Sequence, residues 1–163
     1  MKKSLWVALG LLLFVIPSHA QDVPKIDAAV GYNLLHLEGV NLNGASGSVA
    51  YNFNKVLGGV GDFGVVDGHS VTITNYVFGP RFNYRPSEKF TPYFEVLFGG
   101  SHLSATGDSV NAFTYNLEGG VDVNFTPKVG LRPELGYEGL HANGQNVNTF
   151  RLAIQLVFHL GQK

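Results

Sequence analysis

From about residue 25 to residue 160, apolar and polar positions alternate with period two. The pattern is clearest in Ala112 to Phe125. Phe113, Tyr115, Leu117, Gly119, Val121, Val123 and Phe125 hold the odd positions, and Thr114, Asn116, Glu118, Gly120, Asp122 and Asn124 the even ones. Such alternation marks a strand with two unlike faces. Seven further segments carry it, at about Lys25 to His36, Gly44 to Asn54, Leu57 to Val66, Val71 to Arg85, Thr91 to His102, Val129 to Leu140 and Asn148 to Leu160. In the fourth, Tyr76, Phe78, Pro80, Phe82 and Tyr84 alternate with Asn75, Val77, Gly79, Arg81, Asn83 and Arg85. In the last, Phe150, Leu152, Ile154, Leu156, Phe158 and Leu160 stand against Thr149, Arg151, Gln155 and His159. An even set of eight closes into an antiparallel up-and-down barrel.

Alternation alone leaves open which face looks outward, since a soluble lipocalin-like barrel carries the same pattern with its apolar face inside. Lysine placement favours the opposite sense. Lys25, Lys55, Lys89, Lys128 and Lys163 fall at the termini or in the connections after the second, fourth and sixth segments, and none lies mid-strand. Polar faces bathed in water would carry lysine along their length. A strand of the length of Ala112 to Phe125, at ~3.3 Å per residue, outreaches the ~25 Å apolar band of an outer-membrane barrel. The expected fold is therefore all-β, an eight-stranded antiparallel transmembrane β-barrel with its apolar face in lipid. The lysine-bearing connections read as periplasmic turns. Connections near 37–43, 67–70, 103–111 and 141–147 fall on the outer side. Phe53, Tyr84, Phe90, Tyr93, Phe125 and Phe158 read as a girdle on the lysine side. Pro80, Pro92 and Pro133 oppose the reading, because proline donates no ladder hydrogen bond and a closed barrel has no edge; bulges or strand ends are expected to absorb them.

The start of the chain has a different character. Lys2 and Lys3 precede an apolar run from Leu5 to Ile16, then Pro17 and Ser18-His19-Ala20. That order predicts a Sec signal peptide over 1–20, cleaved after Ala20, and a barrel domain over 21–163. Without Lys2 and Lys3 the barrel would carry 11 − 2 = 9 basic groups against 12 acidic ones, a mild negative charge that argues against a nucleic-acid partner. Cysteine is absent, which excludes disulfides and thiolate metal sites.

These residues resemble a known family, the small eight-stranded outer-membrane barrels of Gram-negative bacteria, of the OmpA-like and opacity-protein type. The resemblance rests on YNFNKVLGGVGDF (51–63), FGPRFNYR (78–85), TPYFEVLFGGSHLS (91–104) and the last strand. The resemblance implies a bacterial outer-membrane location, contact with outer-membrane lipid and lipopolysaccharide, a monomer, and delivery by the barrel-assembly machinery. The last strand is similar to the signal that machinery reads, with Arg151, Ala153, Leu156 and Phe158 in its polar, small, hydrophobic and aromatic places. Alanine stands there where glycine is usual, and a tail, His159 to Lys163, follows the aromatic. No peptidoglycan-binding domain is recognisable.

Candidate chemistry follows from the inward face. Asp27, Asp62, Glu95, Glu118, Asp122, Glu134 and Glu138 would share a narrow lumen with Arg81, Arg85, Arg132 and Arg151. Buried charges are tolerable there only as a paired network, so a packed structural interior is expected. The excess of acids gives the alternative, a narrow pore for small solutes or cations. His36, His69, His102 and His141 fall one to each outer connection, near Glu38, Asp67, Asp108 and Glu138, and a polar rim is the expectation, with a metal-binding rim as the weaker alternative. No metal or other cofactor is otherwise implied. Gly59 to Gly64 spells the dinucleotide fingerprint, but no helical pattern follows to hold a pyrophosphate. An enzyme is not expected. The nearest approach to a lipid-hydrolysing set, His102, Ser104 and Asp108, lacks any nucleophile-elbow context.

Overall fold

The computed structural model describes residues 23–161 except 38, 69 and 106. The expected signal segment, Glu38, His69 and Lys163 lie outside the described residues. Eight strands follow in order, β1 (Ile26–Leu37), β2 (Val40–Asn52), β3 (Leu57–Gly68), β4 (Val71–Asn83), β5 (Phe90–Ala105), β6 (Asp108–Asn124), β7 (Val129–Ala142) and β8 (Gln145–Leu160). Each pairs antiparallel with its sequence neighbours, and β1 closes on β8 from Ile26 opposite Leu160 to His36 opposite Phe150. The sheet has no free edge, so the ladder satisfies the strands' backbone groups without water.

The alternation sorts the side chains as expected. Odd residues of β6 face out and even ones face in, with Thr114, Asn116, Glu118 and Asp122 buried. The outward surface carries large apolar side chains in rows. Tyr32, Phe63, Tyr76, Phe98, Tyr115, Tyr137 and Phe150 form one aromatic row, and Tyr51, Phe53, Phe82, Tyr84, Phe90, Phe125 and Phe158 gather at the opposite end. The rows are eight residues apart from Tyr76 to Tyr84 and ten apart from Tyr115 to Phe125. For strands tilted by ~40° that is a height of roughly 20–25 Å, an outer-membrane apolar band bounded by two girdles. Tyr93 is not part of the second girdle. It sits on the inward face of β5, only 6% exposed.

Lys25 and the connections 53–56, 84–89 and 125–128 share the end that holds both described termini. Their turns are fixed by local side-chain acceptors. Asn54 Oδ1 accepts from the backbone N–H of Val56 and Leu57, both at 2.8 Å. Thr126 Oγ1 accepts from those of Lys128 and Val129 at 3.2 and 3.0 Å. The other end departs from expectation. In place of connections spanning 37–43, 67–70, 103–111 and 141–147, the strands run on to two-residue connections at 38–39, 69–70, 106–107 and 143–144. Asn143 and Gly144 both take positive φ (51° and 77°), the pairing a tight type I′ hairpin demands.

Two of the three prolines are accommodated differently from expectation as well. Pro80 and Pro133 lie mid-strand, and no bulge absorbs them. The β4–β5 pairing skips Gly79 and Pro80, then resumes in register at Arg81 opposite Glu95, while Pro80 stays opposite Gly59 on its other side. The β6–β7 pairing lapses similarly around Pro133, which stays opposite Ile154. Each ring projects outward, so the cost is confined to one side of one strand. Pro92 lies near the start of β5, also outward.

Candidate functional site

The inward faces build three layers inside the barrel. Nearest the two-residue connections, Leu35, Leu42, Val66 and Ile73 form a buried apolar layer, flanked by Leu37, Val40, Val71 and Leu103. Here the sense of the alternation inverts, with apolar residues inside and polar ones outside.

The middle layer is ionic. Arg151 of β8 donates from Nη1 to Glu118 Oε1 (2.7 Å) and Glu134 Oε1 (2.9 Å), from Nη2 to Asp62 Oδ2 (3.3 Å), and from Nε to Asn33 Oδ1 (3.1 Å). Arg132 donates in fork fashion to both oxygens of Asp122, at 2.6 and 2.9 Å. Arg81 donates from Nε to Glu95. The Tyr93 ring meets two guanidinium groups, Arg81 at 4.5 Å and Arg132 at 5.0 Å from its centroid, and its hydroxyl donates to Glu134 Oε2 at 2.5 Å. Glu138 accepts from Asn75 Nδ2 on the facing wall at 2.8 and 2.9 Å. Ala50, Val60, Val77 and Leu97 pack as an apolar patch on the β2–β5 wall.

The third layer lies at the end that holds both described termini. His159 presents Nδ1 to Asp27 Oδ1 (2.6 Å) and Nε2 to Asn124 Oδ1 (2.9 Å), while Asn124 Nδ2 donates to the Glu88 carbonyl (2.7 Å). Both ring nitrogens face side-chain oxygens. Asp27 also accepts from Asn52 Nδ2 (2.7 Å), Asn52 Oδ1 accepts from Asn83 Nδ2 (3.1 Å), and Arg85 approaches Asp27 at 3.9 Å. The chain of partners runs from β6 through β8, β1 and β2 to β4, across the floor of the barrel. His159 belongs to the tail that set this last strand apart from the usual assembly signal, and it is also the direct register partner of Asp27 at the β1–β8 seam.

The structure thus brings Asp62, Glu118, Glu134 and Arg151 into one network, pairs Arg81 with Glu95 and Arg132 with Asp122, and leaves Glu138 with Asn75. Arg85 lies beyond the end of β4 and is half-buried. Sequence reasoning missed Asn33, Asn52, Asn75, Asn124 and His159 as network members. Their signal was the inward phase of the alternation, which neutral polar residues share with charged ones. Among the assembly residues, Arg151 and Ala153 face the lumen and Leu156 and Phe158 face outward.

Among the described residues, the one trio of ligand-type groups close enough to share a metal ion is Glu95, Glu118 and Glu134, whose carboxylates lie within 4.8 Å of one another. Each already pairs with a guanidinium group, Glu95 with Arg81, and Glu118 and Glu134 with Arg151. The histidines do not converge. His36, His102 and His141 lie on three separate hairpins, and each donates from Nδ1 to the asparagine opposite it, Asn41 (2.7 Å), Asn111 (2.8 Å) and Asn146 (2.5 Å). His102 is therefore oriented by Asn111, and Asp108 belongs to the opposite face of its strand, so the lipid-hydrolysing set is not assembled. Gly59 to Gly64 lies within β3, paired on both sides.

Comparison with known proteins agrees with this architecture. No curated protein sequence matches the chain. Among solved structures, Neisserial surface protein A (NspA) superposes with a TM-score of 0.63 at 15% identity, over 83% of this chain and 96% of that one. The outer membrane protein OprG from Pseudomonas aeruginosa gives 0.63 at 9% identity, over 85% and 96%. Ail, the attachment invasion locus protein of Yersinia pestis, in complex with the heparin analogue sucrose octasulfate, gives 0.51 at 19% identity, over 83% and 99%. These likenesses are of fold. A family profile described as outer membrane protein beta-barrel domain matches residues 6–158. Nearly the whole chain is covered by that match, so the protein belongs to the outer-membrane β-barrel family, whose place is the bacterial outer membrane.

Proposed function

We propose that the chain is a membrane-embedded scaffold with a structural or surface-interaction role, whose lumen serves stability and whose outer surface does the work. The observation that carries this reading is the stacking of three packed layers along the axis, an apolar layer at Leu35, Leu42, Val66 and Ile73, the Arg–carboxylate layer, and the Asp27–His159–Asn124 floor. Desolvated ion pairs are a poor route for ions, since breaking one leaves an uncompensated buried charge. The solved relatives include surface and attachment proteins by their names, which is compatible with such a role.

The second reading, a narrow cation pore, draws on the seven inward carboxylates, Asp27, Asp62, Glu95, Glu118, Asp122, Glu134 and Glu138, against four arginines. Single-channel recording on the refolded protein in planar bilayers separates the two. The scaffold reading predicts a silent bilayer at neutral pH. Steady cation-selective steps would overturn it in favour of the pore.

A further inference from the structure

Four cross-strand pairs stand at one height on the outside of the barrel, His36–Asn41, Asp67–Thr72, His102–Asn111 and His141–Asn146. Each begins four residues outward of a girdle aromatic on the same strand, Tyr32, Phe63, Phe98 and Tyr137. Each is closed by a side-chain hydrogen bond, from histidine Nδ1 to asparagine Oδ1 in three, and from Thr72 Oγ1 to Asp67 Oδ1 (2.7 Å) in the fourth. Four residues of a tilted strand rise ~10 Å, which lifts this belt out of the hydrocarbon and into the headgroup layer.

We propose that the belt binds the sugar headgroup of a glycolipid in the outer leaflet. The belt continues the lipid-facing surface directly, with only the row Leu34–Asn43, Val65–Thr74, Gly100–Phe113 and Gly139–Asn148 between it and the girdle. Its charge selects the ligand. Neither the belt nor that row holds a lysine or arginine, the groups that a phosphate-holding surface carries. What it offers is amide, imidazole, hydroxyl and carboxylate, which pair with sugar hydroxyls. The hydrogen bonds also organise these groups. An asparagine Oδ1 only accepts, so each imidazole carries its proton on Nδ1, and Nε2 and the asparagine amide donors are left for a ligand. An exposed hairpin surface needs no particular residues for its packing, yet three hairpins repeat the same pair. The proposal is independent of whether the lumen conducts.

Native mass spectrometry of the folded protein in detergent tests it, with three probes: lipid A, which is a phosphorylated glucosamine disaccharide; the same lipid dephosphorylated; and phosphatidylglycerol, which has phosphate without sugar. The expected result is equal retention of both lipid A forms and none of phosphatidylglycerol. In a variant combining Asn41→Leu, Asn111→Leu and Asn146→Leu, retention should weaken about tenfold or more, with the heat-modifiable folded band unchanged. A triple Asn→Ala variant gives the same reading if the leucines impair folding. Retention that disappears on dephosphorylation, or is matched by phosphatidylglycerol, would overturn the proposal in favour of a phosphate site. A folded triple variant that retains lipid A like the parent would overturn it outright.

Discussion

Arg151 shows how much of the barrel rests on single inward side chains. One guanidinium holds three carboxylates, Asp62, Glu118 and Glu134, from three other strands, and is only 2% exposed. Replacing it by methionine keeps the bulk and strands three acids in a closed interior. Breaking a buried pair by removing one partner costs ~3–5 kcal/mol, so Arg151→Met should lower the urea midpoint of the detergent-folded protein by that equivalent or prevent folding. Glu118→Gln should cost ~1 kcal/mol, because Arg151 keeps Glu134 and Asp62 and Glu118 Oε2 has no protein partner to lose. Equal losses from the two variants would contradict the hub role of Arg151. The charged members of this network were legible in the sequence because charge on the even face of a strand stands out. Tyr93 was not, since an aromatic near a strand end reads as girdle until its phase against Glu95 is given priority.

At the scale of strands, close approach between neighbours replaces side-chain packing at several glycines. A Cβ on Gly79 would stand 1.9 Å from the Val96 carbonyl oxygen, beside the gap in the β4–β5 ladder that Pro80 imposes. Backbone there has nowhere to go, because the ladders on the far sides of both strands hold it. Gly119, also in a strand, would meet nothing nearer than the Tyr93 carbonyl oxygen at 3.6 Å. Gly79→Ala should therefore abolish or severely reduce the heat-modifiable folded band after refolding, and Gly119→Ala should leave it intact; the reverse order would mean that the close approach is not what requires glycine. The strand faces over the apolar band were legible because one rule, apolar outside and polar inside, holds there outside the inward patch of Ala50, Val60, Val77 and Leu97. The outer hairpins were not. Above the aromatic row the surroundings of the outer face change from lipid to polar headgroups and water, so His36, Asn41, His141 and Asn146 take the outward positions and Leu35, Leu42 and Leu140 the inward ones. The pairing continues while the sense of the alternation inverts, and a reading keyed to an apolar outer face takes these ladders for loops.

For the molecule as a whole, the outward surface is the decisive feature, because it contradicts every expectation for a barrel dissolved in water. Phe78, Phe94, Leu135, Ile154 and Leu156 all lie on it, between the two girdles, and Ile154 is 48% exposed to whatever surrounds the barrel. In water such a position would accept an arginine at little cost. In lipid the cost depends on depth. Ile154 lies opposite Pro133, midway between the Tyr137–Phe150 row and the Val129–Phe158 row, whereas Asn148 lies just above the girdle opposite Gly139. Arginine at the bilayer midplane of such barrels costs ~2–4 kcal/mol and falls to ~0–1 kcal/mol at the interface. Ile154→Arg should thus destabilise the protein folded in liposomes by the larger amount and Asn148→Arg by the smaller, as read from urea unfolding with tryptophan-free detection such as gel mobility. The same pair measured in a short-chain detergent, whose micelle deforms around a charge, should differ less. Equal tolerance of both arginines in liposomes would remove the lipid band from this surface, and with it the headgroup-level placement of the His–Asn belt.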